Sequence, residues 1–173
     1  MSLFFDLLCA VNSPNQRASV DQLRVVADVL EVAAQQHGIT SAEVQTALSA
    51  ISPHLRAVLQ QKVSILQQPA ETTVHQLAET ETSDTIQTMV SPSVYSTMGR
   101  SVAAQTSLSD ETGKEILSLL IPAAMHLLDL GAQYNVSNGN LLVSRFLNSD
   151  RREDLDLGEV AYFIHRMMDA PAP

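Results

Sequence analysis

Residues 116–128 read ILSLLIPAAMHLL, the most hydrophobic stretch of this 173-residue chain. Leucine, alanine and methionine dominate it, and all three favour helices. Ser109, which precedes the stretch and is followed by two acidic residues, has the pattern of a helix N-cap. We therefore predict a buried helix here. Pro122 should kink or split it, because proline has no backbone N–H to donate.

The same helical spacing of apolar residues extends over most of the chain. Each of several apolar runs follows a residue that can cap a helix: Ser19, Thr40, Ser52, Ser91 and Ser109. Pro53 and Pro92 then stand at first helical positions, and Gly38 stands where a helix should end. Only six glycines and no tryptophan argue against a β-sandwich or barrel. We predict an all-α bundle of eight or nine helices.

A polar stretch rich in Gln, Glu and Thr interrupts this pattern between residues 67 and 83. With Pro69 near its start, it is either a solvated linker or a weak helix. We predict an N-terminal helical unit at residues 1–68, a polar linker at 69–83 and a C-terminal helical unit at 84–173. The two units should pack as one domain.

An internal repeat relates the two units. Residues 32–35 and 102–105 both read VAAQ. With a one-residue gap, a cap, two leucines and a proline also align: Thr40 with Ser109, Leu48 with Leu117, Pro53 with Pro122 and Leu59 with Leu128. This register predicts a pseudo-duplicated bundle. The alternative is that helical proteins reuse caps and prolines at similar intervals.

The charge balance narrows the possible partners. Ten Lys and Arg stand against nineteen Asp and Glu, a formal net charge of −9. No basic stripe suits a phosphate backbone, so we expect no nucleic-acid partner. No run approaches the roughly 18 apolar residues of a membrane span, and the N-terminus lacks the basic region of a secretory signal. We expect a soluble, cytoplasmic protein without membrane contact.

The acidic residues crowd into one segment near the C-terminus. Residues 148–159 read NSDRREDLDLGE and lie between two amphipathic helices, so the hairpin at 140–169 has the length of an EF-hand. Counting from the first residue gives these candidate metal ligands: Asn148, Asp150, Asp154, Asp156 and Glu159. Arg152 and Glu153, however, stand where a calcium loop has an oxygen ligand and a glycine.

Three interpretations of this loop stay open. In the first, it binds calcium. In the second, the Arg152 guanidinium replaces the ion in a loop-closing salt bridge with Asp150, Asp154 or Glu159. In the third, it is a charged turn in solvent. We expect no resident cofactor, with calcium at this loop as the alternative.

The residues around the loop resemble a known motif. Residues 141–150 (LLVSRFLNSD) and 154–159 (DLDLGE) resemble the C-terminal motif of the bacterial YidB-like family of unknown function. Residues 4–8 (FFDLL) and 12–19 (NSPNQRAS) are similar to its cyanobacterial members, and residues 119–122 (LLIP) add a core match. The resemblance implies an all-α fold and no assigned activity.

Residues with catalytic potential are dispersed. The five histidines show no pairing that would suit zinc, and we expect His126 and Cys9 to be buried core residues. No phosphate-binding loop, dinucleotide fingerprint or nucleophile motif is present in the sequence. We therefore expect no enzymatic activity.

The functional prediction is a non-enzymatic protein-interaction or assembly module. Its partner would be another protein or a second copy of the chain. Met167 and Met168 either pack on the core or form an exposed docking face. The alternative function is a calcium-responsive module that uses the loop at 148–159.

Overall fold

A computed structural model of the protein describes residues 3–14, 18–132, 139–150 and 156–169. Helices account for most of these ranges: α1 (Leu3–Val11), α2 (Val20–His37), α3 (Ser41–Leu66), α4 (Ala70–Ala78), α5 (Ser83–Val90), α6 (Pro92–Gln105), α7 (Asp110–Glu115), α8 (Leu117–Asp129), α9 (Leu141–Asn148) and α10 (Leu157–Met168). These ranges contain no β-strand, only a bridge between Ala132 and Asn140. The all-α prediction is confirmed.

The hydrophobic stretch forms α8, and the short polar helix α7 comes directly before it. Only Ile116 separates α7 from α8, so the described residues form ten helices, or nine if this pair counts as one. Pro122 lies inside α8, so of the two predicted effects a split at this proline is wrong, while a kink stays a prediction. Ile121 and Ala123 are buried on either side of it. Burial of these side chains offsets the backbone hydrogen bond that proline cannot make.

Helix α3 is the central element and also runs through a proline. It contacts α2, α4, α6, α9 and α10. The predicted helix start at Ser52 and Pro53 is wrong, because both lie inside α3. Ser52 is buried, and its hydroxyl donates to the Leu48 carbonyl at 2.7 Å. It also accepts from the backbone N–H of Leu157 at 3.1 Å, which ties α3 to α10.

The predicted polar linker at 69–83 contains an ordered helix. Residues 70–78 form α4. Of the two alternatives, the helix is therefore confirmed for these residues and the solvated linker is wrong. Val74 and Leu77 are fully buried and pack α4 against α8. Two apolar side chains at the right spacing are enough to dock a short helix on an existing core.

One apolar core runs through the described residues and draws on both predicted units. It includes Leu48 and Ile51 from the first, and Ile86, Met125 and Phe146 from the second. The two units therefore share buried side chains rather than a solvated boundary. No helix within the described ranges is long and apolar enough to span a membrane.

The repeated segments occupy similar places along the chain. Both VAAQ segments lie in the last two turns of a helix, α2 and α6, and the hydroxyls of Thr40 and Ser109 then cap α3 and α7. Their environments differ, because Val32 is exposed whereas Val102 is fully buried. The duplication stays a prediction.

Cys9 does not belong to the core. It is a free thiol on the exposed side of α1, so the prediction of a buried residue is wrong. The side of α1 that faces the core carries Leu3, Leu7 and Ala10, together with the buried carboxylate of Asp6.

Candidate functional site

The sequence-predicted site lies on the α9–α10 hairpin, whose two helices have well-defined starts. Asn140 caps α9: its side chain accepts from the Val143 N–H at 3.0 Å and donates to the Leu128 carbonyl at 2.8 Å. Asp156 caps α10, where one carboxylate oxygen accepts from the N–H groups of Gly158 and Glu159 at 2.9 and 3.1 Å. Such caps satisfy N–H groups that have no partner within the helix.

Helix α3 holds the entrance to the loop. The Arg56 guanidinium donates to the carbonyls of Leu147 and Ser149 at 3.0 and 2.9 Å. The Gln60 amide donates to the same Leu147 carbonyl at 3.0 Å. These side chains provide donors for the carbonyls that the end of α9 leaves without helical partners.

The same helix holds the exit from the loop, about two turns earlier. The Ser49 hydroxyl donates to the capping carboxylate of Asp156 at 2.5 Å. Gly158 lies directly against Ser49 and the Gln45 carbonyl, where a methyl group would not fit. Both ends of the loop are thus fixed to α3, and α10 approaches it closely.

The predicted ligands do not form a metal cluster within the described residues, where no group of three or more His, Cys, Asp or Glu side chains could hold an ion. Asn148 donates its amide back to the Ser144 carbonyl of its own helix at 2.9 Å. Asp150 is exposed. Arg152 and Asp154 lie outside the described residues, so the salt-bridge hypothesis stays a prediction.

The other predicted ligands and the methionine face lie on α10. Asp156 and Glu159 share its first turn, and the Asp156 carboxylate serves as a helix cap and as the acceptor for Ser49. Met167 is exposed, whereas Met168 is partly buried against the core. The two methionines therefore have different environments.

An ion pair between a buried aspartate and a partly exposed arginine also supports the hairpin. The Nε atom of Arg145 on α9 lies 2.6 Å from Oδ2 of Asp6 on α1. The sequence signal was an aspartate in the middle of an apolar run, but nothing in the sequence identified its partner.

Glu43 on α3 is a carboxylate with a lowered pKa. It accepts from the backbone and hydroxyl of Ser107 and, as the predicted capping box, from the Thr40 N–H. Hydrogen bonds from Ser107 and Thr40 lower the pKa of Glu43 from 4.5 to about 2. These contacts join the start of α3 to the α6–α7 loop, so the shift has a structural explanation.

Two exposed apolar surfaces were missed by sequence reasoning. The first, the α3-tip surface, consists of Lys62, Ile65, Leu66 and Met89 beside an open cleft of about 240 Å³ between α3 and α5. Ile65 and Leu66 are 66% and 59% exposed. Apolar residues at a helix end are readable from sequence, but whether another element covers them is not.

The second surface is on α2. The valine stripe consists of Val25, Val29 and Val32. Val25 and Val29 line an open cleft of about 240 Å³ between α2 and α8. Val25 and Val32 are 53% and 43% exposed.

Compared with models of known protein families, with curated proteins and with solved structures, the chain gives no match.

Proposed function

We propose that the protein is a non-enzymatic assembly module that binds a second copy of itself through the α3-tip surface. The observation that supports this is the exposure of Ile65 and Leu66 on a helix whose earlier apolar residues, such as Leu55 and Leu59, are buried in the core. Adjacent exposed apolar side chains of this size are typical of interaction sites.

The chemistry of the surface favours a second copy. Among the residues that line its cleft, Lys62 is the ionisable one, and its ammonium can extend into water. A surface with so little charge can pair with itself about a two-fold axis, where each patch meets its own counterpart. Met89, the remaining member of the surface, is partly buried, and its flexible side chain can adapt to an apolar neighbour.

Site-specific cross-linking tests this assembly. In a Cys9→Ser background, Gln61→Cys places a thiol in the cleft, and Gln105→Cys at the end of α6 is the matched exposed control. A short bis-maleimide should join two copies through position 61 far more efficiently than through position 105. Equal yields at the two positions would contradict the proposal.

Several expectations are not part of this test. The YidB-like resemblance, the bacterial and cytoplasmic assignments and the absence of enzymatic activity remain predictions from the sequence. The calcium-responsive alternative also remains a prediction, since residues 151–155 of its loop lie outside the described ranges.

A further inference from the structure

We propose that the valine stripe on α2 is a docking site for a basic amphipathic helix of a different protein. Val25, Val29 and Val32 follow the i, i+4, i+7 spacing that places side chains along one side of a helix. The stripe shares no residue with the α3-tip surface, so this inference does not depend on self-association.

The stripe borders a recess rather than a flat surface. Val25 and Val29 form one wall of the α2–α8 cleft, and Pro122 and Ala123 form part of the other. Ala78, at the end of α4, also lines the cleft. From Val25 to Val32 the stripe spans about 10 Å at 1.5 Å per residue, the length over which a partner helix presents two turns. Apolar anchors at matching spacing would enter such a groove.

Carboxylates lie on both sides of the stripe and outnumber the one exposed cation beside them on α2, Arg24. Asp21 and Asp28 share a side of α2 with Val25 and Val32, because these four positions follow the helical repeat. Glu79 and Glu81 line the cleft opposite, and all four acidic residues are exposed. An apolar strip between two acidic borders is complementary to a helix with one apolar face and Lys or Arg on both flanks.

The chain itself cannot supply that helix from the described residues. Within them, α3 carries the most Lys and Arg, namely Arg56 and Lys62. The Arg56 guanidinium already donates to the Leu147 and Ser149 carbonyls. Pairing of two copies through the valine stripe would bring the carboxylates of one copy against those of the other, which is not so at the α3-tip surface, where Lys62 is the ionisable residue that lines the cleft. Among the described helices none offers the complementary charge, which favours a helix of another protein as the occupant.

The test uses the full-length chain and a synthetic probe. The probe is an amphipathic peptide with leucines at helical spacing on one face and lysines on the other, and fluorescence anisotropy measures its affinity. Val25→Ser with Val32→Ser removes the apolar stripe, while Val20→Ser removes an equally exposed valine of α2 that lies off the stripe. Glu79→Gln with Glu81→Gln removes the acidic border, with Glu115→Gln on α7 as control.

We expect the wild-type chain to bind the lysine peptide and to bind it more weakly as salt increases. The double serine variant should bind about tenfold more weakly, since two half-exposed valines lose their contacts. The double glutamine variant should bind the peptide several-fold more weakly, and both control variants should bind it as tightly as the wild type. In NMR spectra of the labelled chain, the perturbed amides should include those of Val25, Val29 and Ala123.

Five outcomes would overturn the proposal, four of them in binding and one in the spectra. One is absence of binding, and another is equal binding to the double serine variant, which would reduce the interaction to general charge attraction. A third is equal affinity for a peptide with glutamates in place of lysines. The last is binding of a single-chain alkylammonium as tight as that of the lysine peptide, which would make the cleft a site for small amphiphiles. Spectral changes confined to Ile65 and Leu66 would instead assign the peptide to the α3-tip surface.

Discussion

Asp6 of α1 and Arg145 of α9 form an ion pair with an Nε–Oδ2 distance of 2.6 Å, although their exposures differ fivefold. The Asp6 side chain is 6% exposed, whereas the Arg145 side chain is 29% exposed. The contact joins the first helix to the C-terminal hairpin across almost the whole length of the chain. Because only one of the two charges can reach water, the two residues should respond differently to substitution.

Arg145→Met should lower the free energy of unfolding by roughly 3–5 kcal/mol, since it leaves the buried Asp6 carboxylate without this cation. Asp6→Asn should lower the free energy of unfolding by less, because the partly exposed guanidinium can turn toward solvent. Urea unfolding of both variants measures the difference. A larger loss for Asp6→Asn would show that the aspartate does not depend on this arginine.

Gly158→Ala should destabilise the protein by about 1–3 kcal/mol, even though alanine is the better helix former. Its methyl group would collide with Ser49 and with the Gln45 carbonyl, and so force α10 away from α3. Thermal unfolding should show the loss, with the exposed Ser144→Ala on α9 as a control that stays near the wild type. A stabilised Gly158→Ala protein would contradict the close packing of α10 on α3.

The pH dependence of stability should report on Glu43. Its folded-state pKa of about 2 lies below the ordinary value of 4.5, so the folded protein favours the ionised form. The carboxylate therefore stabilises the fold above about pH 4.5, and this contribution is lost as the pH falls toward about 2.

Glu43→Gln should remove this part of the acid sensitivity, and Ser107→Ala should reduce it, because a hydroxyl donor to the carboxylate is lost. Urea unfolding at a series of pH values, together with an NMR titration of the Glu43 carboxyl, measures both effects. A Glu43 carboxyl that titrates at its ordinary pKa would contradict the contacts to Ser107.

The limits of sequence-based prediction are clearest at two Ser-Pro pairs. Ser91 and Pro92 start α6, where the Ser91 hydroxyl accepts from the Val94 N–H as predicted. Ser52 and Pro53 show the same local pattern, yet α3 continues through them. At Ser52 the hydroxyl does not cap a helix: it donates to the Leu48 carbonyl and accepts from the N–H of Leu157, 105 positions away in sequence. A local pattern contains no information about such a partner.

The predictable features are those that depend on neighbouring residues. The caps at Ser19 and Thr40 and the left-handed Gly38 at the end of α2 are confirmed, because each requires only contacts within a few positions. The role of Arg56 at the loop entrance was not predictable, since its acceptors Leu147 and Ser149 lie about ninety positions away. The exposure of Ile65 depends in the same way on distant elements.

The loop at 148–159 allows a direct test of the Arg152 hypothesis. If the guanidinium replaces a cation, micromolar calcium should leave the melting temperature of the wild type unchanged. Arg152→Asp combined with Glu153→Gly should then create calcium-dependent stabilisation, because it restores an oxygen ligand and a flexible turn. Glu153→Gly alone is the control. A rise of several degrees for the wild type in calcium would contradict the hypothesis and favour the calcium-responsive alternative.

Sedimentation velocity of the wild-type chain and of the I65S/L66S variant tests the proposed assembly most directly. With increasing concentration, the wild type should shift from monomer to dimer. The variant should stay monomeric and keep its helical content, since both side chains lie outside the core. The control variant Val20→Ser, which removes an exposed apolar side chain of α2, should dimerise like the wild type. A wild type that remains monomeric up to millimolar concentration, or a variant that dimerises equally well, would contradict the central claim.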